Sequence, residues 1–439
     1  MQKKTQQRFL LKALITGLVL LCLSSTPVPA REGDDVQNFE DGLAYFDYGD
    51  YPAAARIFWR IIGSNDARVQ YYLATLMDTG RGTSQDVFGA FNLFRKSAQQ
   101  GYLPAMVQMG YAYGTGRGVA KNDQESFRWY TKTAKLGDAV AQNNLGMMRR
   151  DGTGCEKDLK LAAQWFFKSA TQGNARAQAN LAAMYLLGQG VTMDYRAARR
   201  WYIYAAQQDD MLAQNALAFM YRFGQGGAKD PLQALELFRH AADRGDVDAM
   251  FNIAQMYEAK EGDSGKTPSD VAIWYAKAAN NGHVEAAHKL AGFYKTGTGV
   301  RQDFKEAVRW YKKAGEENGF MPSMAALAYF YDTGSGVEQN LDKARAIYQK
   351  AAEAGDPDSQ FRLGRFYKEG LGGVSADPVM AYQWLALAAK ALPDGEEKNS
   401  AVVARIETAN SMSEAQLIDA RQRVADWKPA AAAAKAPAR

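Results

Sequence analysis

Three histidines, His240, His283 and His288, are the side chains of this 439-residue sequence best suited to metal binding or proton transfer near neutral pH. His283 and His288 are five residues apart, whereas two ligands on one helix face are four apart. The sequence contains no G-x-S-x-G, P-loop or H-E-x-x-H motif. We therefore predict no metal site and no cofactor.

Nucleophilic catalysis has no better support. Ser84 and Ser335 stand in glycine-rich segments without a nearby His or Lys that would activate a hydroxyl. Cys155 occupies a position where other parts of the chain carry Val119, Val191, Val300 or Val337. We interpret its thiol as a small buried hydrophobic group rather than a reactive one. Carboxylates are numerous, but none forms a recognisable catalytic pair, so we predict a protein that is not an enzyme and has no catalytic residues.

The first 30 residues resemble a secretory signal peptide. A basic start is followed by an apolar run, Ala13–Leu23, and by Val28-Pro29-Ala30, a cleavage pattern ending at Ala30. The run is shorter than the roughly 20 residues of a membrane span, which disfavours an uncleaved anchor. Bulky residues before Cys22 disfavour lipidation. We expect residues 1–30 to be removed, no transmembrane span to remain, and the protein to be periplasmic or secreted.

Removal of this leader changes the charge of the chain. The leader carries four of the 53 basic residues and no acidic one, so the mature chain has 49 basic against 48 acidic residues, a net charge of +1. Nucleic-acid binding relies on a strong positive field. The near-neutral balance therefore predicts no nucleic-acid partner.

The elements that position these side chains follow a period of about 36 residues, marked by tryptophan or an aliphatic substitute. These marker residues are Leu93, Trp129, Trp165, Trp201, Leu237, Trp274, Trp310, Ile347 and Trp384. A period of this length is typical of stacked supersecondary units. The sequence therefore predicts an elongated repeat array rather than several globular domains.

One period, 283–319, shows the parts. Apolar residues at helical spacing predict a first helix, Gly297-Thr-Gly299 ends it, and Asp303 caps a second helix that carries Trp310. A cap residue precedes every marker by seven positions. The predicted caps are Asp86, Asn122, Asp158, Asp194, Asp230, Thr267, Asp303, Asn340 and Asp377.

Two further rows repeat with the same period. One contains only glycine or alanine, which predicts close contact between the two helices of a unit: Ala74, Gly110, Gly146, Ala182, Ala218, Ala254, Ala291, Ala328 and Gly364. The other is aromatic: Phe94, Tyr130, Phe166, Tyr202, Phe238, Tyr275, Tyr311 and Tyr348. The aromatic row could stack a ligand or pack helices together; we favour packing, because an array without a central core needs buried rings at every junction.

The L-G/A-x-x-Y helix, the G-x-G loop and the A-x-x-W-Y-x-K-A-A-x-x-G helix resemble the Sel-one-like repeat, a relative of the tetratricopeptide repeat. The resemblance implies an all-α superhelical solenoid of stacked antiparallel helix pairs, with nine repeats over 66–392. The period slips at 258–266, 316–318 and 370–376. These slips either adjust the array, mark a contact face or are neutral.

The segments outside the repeats are predicted to protect the two ends of the repeat array. Residues 31–65 resemble a tetratricopeptide-like capping unit, and 393–427 are predicted to form C-terminal capping helices. Ser411 and Glu414 have the spacing of a capping box. The alanine and proline composition of 428–439 predicts a disordered tail.

The resemblance also implies that first helices line an inner, concave face. Amide side chains there form the candidate partner-binding set: Gln108, Asn143, Asn180, Asn215 and Asn252. Amides donate and accept hydrogen bonds, which suits a peptide backbone or sugar hydroxyls. The same side chains could instead link successive helices, and the spacing leaves both interpretations open.

The sequence therefore favours an exported, non-enzymatic scaffold or adaptor that binds proteins in the bacterial envelope. By resemblance, such proteins act in envelope assembly, exopolysaccharide or signalling control, or host contact. One alternative is a weak β-lactam-binding or hydrolysing enzyme, although the paired cysteines of such relatives are missing. Another is a module that binds cell wall peptidoglycan or polysaccharide.

Overall fold

A computed structural model describes residues 32–263 and 265–429 of the chain. The predicted signal peptide and all but the first two residues of the predicted tail lie outside these residues. Within them every regular element is a helix. The chain divides into two compact units, with the boundary between Met193 and Asp194.

The first unit is built from helices that follow one another at short intervals. They are α1 (Glu32–Tyr48), α2 (Tyr51–Ile61), a 3-10 turn (Ile62–Ser64), α3 (Ala67–Thr79), α4 (Val87–Gln99), α5 (Leu103–Thr115), α6 (Asp123–Lys135), α7 (Ala139–Asp151), α8 (Leu159–Thr171) and α9 (Ala175–Leu187). Neighbouring helices pack as antiparallel pairs, from α1 with α2 to α7 with α8.

The second unit continues the alternation. Its helices are α10 (Tyr195–Ala206), α11 (Met211–Phe223), α12 (Pro231–Asp243), α13 (Val247–Glu258), α14 (Pro268–Asn280), α15 (Val284–Thr296), α16 (Phe304–Gly315), α17 (Met321–Thr333), α18 (Leu341–Glu353), α19 (Pro357–Glu369), α20 (Pro378–Ala391), α21 (Glu396–Asn410) and α22 (Glu414–Asp426). The last two helices both pack on α20. The predicted solenoid of helix pairs is confirmed.

All nine predicted caps are confirmed, because each side chain accepts a hydrogen bond from a backbone N–H in the first turn of its helix. At Asp158, for example, Oδ1 accepts from the N–H of Leu161 at 2.8 Å. Three of these helices, α12, α14 and α20, begin with proline. Proline is tolerated at that position because its missing N–H has no partner inside the helix.

The aromatic row is buried, as packing requires. Phe166, Phe238 and Tyr275 are fully enclosed, and the other five rings of the row are also buried. Several marker tryptophans are half-buried, and a lysine from the next turn of the helix lies against the ring. Lys277 Nζ, for example, lies 4.0 Å from the centre of the Trp274 ring. The eight rings of the aromatic row therefore stabilise the junctions between helices and are not available for ligand stacking.

The small residues of the first helices permit this packing. A Cβ atom added to Gly146 would lie 2.7 Å from the Phe166 ring, and one added to Gly110 would lie 2.7 Å from the Tyr130 ring. Both distances are shorter than the separation that two non-bonded carbon atoms can adopt. The helices of these pairs therefore approach as closely as they do only because the side chain is absent.

The second glycine of each loop spaces one repeat from the one before it. Gly154 has φ +68°, and a Cβ there would lie 2.1 Å from the backbone oxygen of Asp123 at the start of α6. In the irregular sixth loop, Gly262 lies against Pro231 in the same way. The longer loop thus keeps the contact that sets the distance between repeats.

The C-terminal capping box is displaced from its predicted position. Ser411 ends α21, so the Ser411–Glu414 prediction is wrong. The box is formed two residues later, where Ser413 and Gln416 exchange hydrogen bonds at the start of α22. After this helix, Trp427 packs edge-on against Trp384. This contact attaches the end of the C-terminal helices to the second helix of the last repeat.

Candidate functional site

The accessible side chains of the first helices form a surface that we call the A face. It belongs to α3, α5, α7 and α9 in the first unit and to α11, α13, α15, α17 and α19 in the second. Each unit has its own A face. The predicted amide residues lie on these helices, three in the first unit and two in the second.

Two predicted residues of the first unit link successive first helices. Asn180 Nδ2 on α9 donates to Asn143 Oδ1 on α7 at 3.0 Å, and Arg150 Nη1 donates to Asn180 Oδ1 at 3.4 Å. Asn143 is buried, with 4% of its surface exposed. Most of the hydrogen-bonding capacity of these amides is therefore used inside the array, as the helix-linking interpretation expects.

The third predicted residue of this unit, Gln108, has a different setting. It is half-buried on α5, in a shallow depression that also includes Tyr111 and the ion pair of Arg117 with Asp78. Arg117 Nε lies 2.6 Å from Asp78 Oδ1. Tyr111 is 48% exposed, so an aromatic ring borders this depression and is open to solvent.

In the second unit the two predicted amides differ in their contacts. Asn215 Nδ2 on α11 donates to Oδ2 of Asp246, the cap of the next first helix α13, at 2.7 Å, while its buried Oδ1 has no hydrogen-bond partner among the described residues. Asn252 is buried and donates to the backbone oxygen of Asp248 at 2.9 Å. Partner binding by the five amides remains a prediction, although their geometry mainly supports links within the array.

A feature that the repeat analysis missed lies further along the second unit. Tyr329 on α17 is flanked by Lys295 from α15 and Arg362 from α19. Lys295 Nζ is 4.8 Å and Arg362 Cζ 5.4 Å from the centre of the ring. Cations at these distances are attracted to the electron-rich face of an aromatic ring. The three residues occupy three different register positions, so aligning the repeats does not bring them together.

His283 and His288 both contribute to the packing of the second unit. His283 caps α15 and stacks on Phe251 at 4.1 Å, and His288 Nδ1 lies 3.0 Å from the hydroxyl of Ser323. Burial lowers the pKa of both imidazoles. In residues 32–263 and 265–429, no group of three or more His, Cys, Asp or Glu side chains is arranged to hold a metal ion.

The irregular loops are attached to neighbouring helices. Arg222 Nε pairs with Glu261 Oε2 at 2.6 Å, and Lys343 Nζ pairs with Glu316 Oε1 at 2.7 Å. Burial alone would raise the pKa of Glu261, but the hydrogen bond and charge of Arg222 outweigh it and lower that pKa. These attachments make two of the three sequence irregularities part of the packed array.

Comparison with known proteins identifies the family to which this architecture belongs. The family model described as the Sel1 repeat matches nine segments, which together cover more than half of the sequence: 67–102, 103–138, 139–174, 175–210, 212–246, 272–283, 284–319, 322–356 and 357–391. The chain belongs to the Sel1 repeat family. Only the end of the sixth Sel1 repeat is matched, although α13 and α14 form a complete helix pair there.

Two solved Sel1-type structures are similar to the chain. One is a protective antigen present in uropathogenic Escherichia coli strains, with an SLR fold; it is 30% identical over 90% of this chain and 84% of its own, with a TM-score of 0.75. The other is a Sel1 repeat protein from Oxalobacter formigenes, 31% identical over 55% of this chain and 99% of its own, with a TM-score of 0.51. A comparison with curated proteins gives no match.

Membership of the family has a general functional meaning. Sel1 and tetratricopeptide-like repeats generally mediate protein–protein interaction, and Sel1 scaffolds are generally non-enzymatic. Across the part of the chain that the structure describes, no helix is both long and apolar enough to cross a bilayer.

Proposed function

We propose that this Sel1 repeat protein is an exported, non-enzymatic scaffold of the bacterial envelope that binds a partner protein through its A faces. The observation that carries the proposal is the contact between side chains of successive first helices. Asn180 reaches Asn143 in the first unit, and Lys295 reaches Tyr329 in the second. Each A face is therefore a continuous surface on which an extended segment of a partner could lie across several repeats.

Export rests on the first 30 residues, whose basic start, apolar run and Val28-Pro29-Ala30 have the pattern of a cleaved leader. Similarity to a protective antigen supports the same proposal. The full chain, expressed with a C-terminal tag in a Gram-negative host, should be recovered from the periplasm or medium with Arg31 as its first residue. Recovery from the cytoplasm with an intact leader would contradict export.

Partner binding can be tested by placing a photo-crosslinking amino acid at matched aromatic positions. Tyr111 on the A face is 48% exposed, and Phe88 on the second helix α4 is 69% exposed. We expect illumination of cells to give a discrete protein adduct from position 111 but not from position 88. Equal labelling at both positions, or no adduct from any A-face position, would contradict a protein-binding A face.

A further inference from the structure

Gly292 stands in the interior of α15 without a packing reason. Glycine destabilises a helix relative to alanine, so a glycine there needs another explanation. A Cβ at Gly292 would have Tyr311 Oη as its nearest neighbour, at 3.8 Å, an ordinary contact distance. At Gly146 in α7, by contrast, a Cβ would collide with Phe166 at 2.7 Å. The missing side chain of Gly292 therefore leaves open space rather than allowing helices to pack.

This open position occupies the same register in α15 as Tyr329 does in α17. It lies three residues from Lys295, so both are on neighbouring turns of one side of the helix. Arg362 completes the group from α19. We call Gly292, Lys295, Tyr329 and Arg362 the cation patch. It combines an aromatic ring, two cationic groups and a section of helix without a side chain.

In the described part of the chain the two cations of the patch are not held in salt bridges, although Asp358, four residues before Arg362 on α19, interacts with it electrostatically. Two other nearby acids are already paired: Glu258 Oε2 lies 3.6 Å from Lys289 Nζ, and Asp332 Oδ2 lies 3.5 Å from Arg365 Nη2. Within the described residues, neither Lys295 nor Arg362 forms an ion pair shorter than 4.0 Å. Two half-buried positive charges on one ring are thus free of a salt bridge and can receive an external anion.

We propose that the cation patch binds an acidic, extended segment of a partner protein. A carboxylate of that segment lies between Lys295 and Arg362 beside Tyr329, and its backbone passes over Gly292, where no Cβ keeps it away. The carboxylate and the two cationic side chains are all ionised, so hydrogen bonds between them are stronger than hydrogen bonds between neutral groups. This inference rests on the proposed protein-binding function and identifies the chemistry of one binding segment.

The surrounding charges favour a peptide over a polyanion. Asp358 lies four residues before Arg362 on α19 and, within the described residues, forms no salt bridge. A nucleic acid or acidic polysaccharide carries charge on many successive units and would meet this carboxylate beside the patch. A peptide can place one or two acidic side chains at the patch and neutral residues beside this carboxylate.

The test uses the purified full-length mature chain and an array of short synthetic peptides in which Asp is replaced stepwise by Asn. We expect the bound peptides to be enriched in Asp, and their affinity to fall about tenfold or more in the double variant Lys295→Gln, Arg362→Gln. Lys277→Gln, which removes a cation from the Trp274 ring on α14, is the matched control and should bind as the unaltered protein does.

The Gly292→Ala variant distinguishes an effect on binding from an effect on folding. It should raise the thermal stability of the chain, because alanine favours helix, yet weaken binding of the acidic peptides. Equal affinity of Asp and Asn peptides, equal binding by the double variant, or preferential binding of heparin or poly-uridine over every peptide would overturn the proposal. A crosslinked partner at position 111 together with any of these results would leave the scaffold function standing and reject only the cation patch.

Discussion

His283 Nδ1 accepts a hydrogen bond from the backbone N–H of Ala286 at 3.0 Å. A protonated imidazole has no acceptor nitrogen, so this cap of α15 requires the neutral ring. The helix whose A face carries Lys295 and Gly292 thus begins at a titratable residue. Asp or Asn caps most of the other first helices.

The stability of the second unit should therefore depend on pH. Burial lowers the pKa of His283 and outweighs the carboxylates of Asp248 and Glu285, which raise it; burial also lowers the pKa of His288. As pH falls below about 6.5, the unfolded chain binds protons first. We expect the free energy of unfolding, measured by urea denaturation, to decrease between about pH 7 and pH 5.

His283→Asn provides the matched control, because asparagine caps the equivalent helix α9 at Asn174 and does not titrate. This variant should keep its stability at pH 7 and lose part of the pH dependence. His283→Ala should lose about 1 kcal/mol at pH 7 through the missing cap. An unchanged pH profile in the asparagine variant would show that His283 is not the group responsible.

Alanine substitution should have opposite effects at two helix glycines. Gly146→Ala places a methyl group 2.7 Å from the Phe166 ring, and overpacking of this kind costs about 1–3 kcal/mol, more than the gain in helix propensity. Gly292→Ala meets open space and should stabilise by up to about 1 kcal/mol. Urea midpoints of the two variants test this, and a shift of both in one direction would contradict the assigned packing.

The Arg222–Glu261 pair should stabilise the irregular sixth loop. The Arg222 side chain is only 10% exposed, so Glu261→Gln leaves a largely buried cation without its carboxylate. We expect a loss of about 1–2 kcal/mol in the free energy of unfolding. Asp419→Asn, which breaks the exposed Arg423 pair on α22, should change it by less than about 0.5 kcal/mol.

The thiol of Cys155 should react slowly. It is half-buried, its Sγ lies 3.6 Å from the backbone oxygen of Met148, and burial raises its pKa. The thiolate is the reactive form, so modification by a disulfide reagent at pH 7 should be several-fold slower in the folded chain than in urea. Equal rates in both conditions would contradict the interpretation of Cys155 as a packed hydrophobic side chain.

Features with a fixed place in the repeat could be predicted from sequence alone. A cap at Asp158, a ring at Phe166 and a loop glycine at Gly154 each depend on local backbone geometry that recurs every 36 residues. Repetition makes such features visible, because eight or nine copies carry the same constraint. The C-terminal cap lies outside the repeats and has no such support, which is why its capping box was predicted two residues early.

Contacts between neighbouring repeats depend on side-chain reach and had to come from the tertiary structure. The amide of Asn180 could have faced a ligand, and only its 3.0 Å bond to Asn143 shows that it links helices. Gly146 and Gly292 are the same letter in the sequence, yet one is required by a ring and the other faces open space. The sequence by itself determined the helix pairs, their caps and their buried rings, because those follow from local periodicity. The grouping of Lys295 and Arg362 around Tyr329 was decided by tertiary structure, because it joins three helices at unequal register positions.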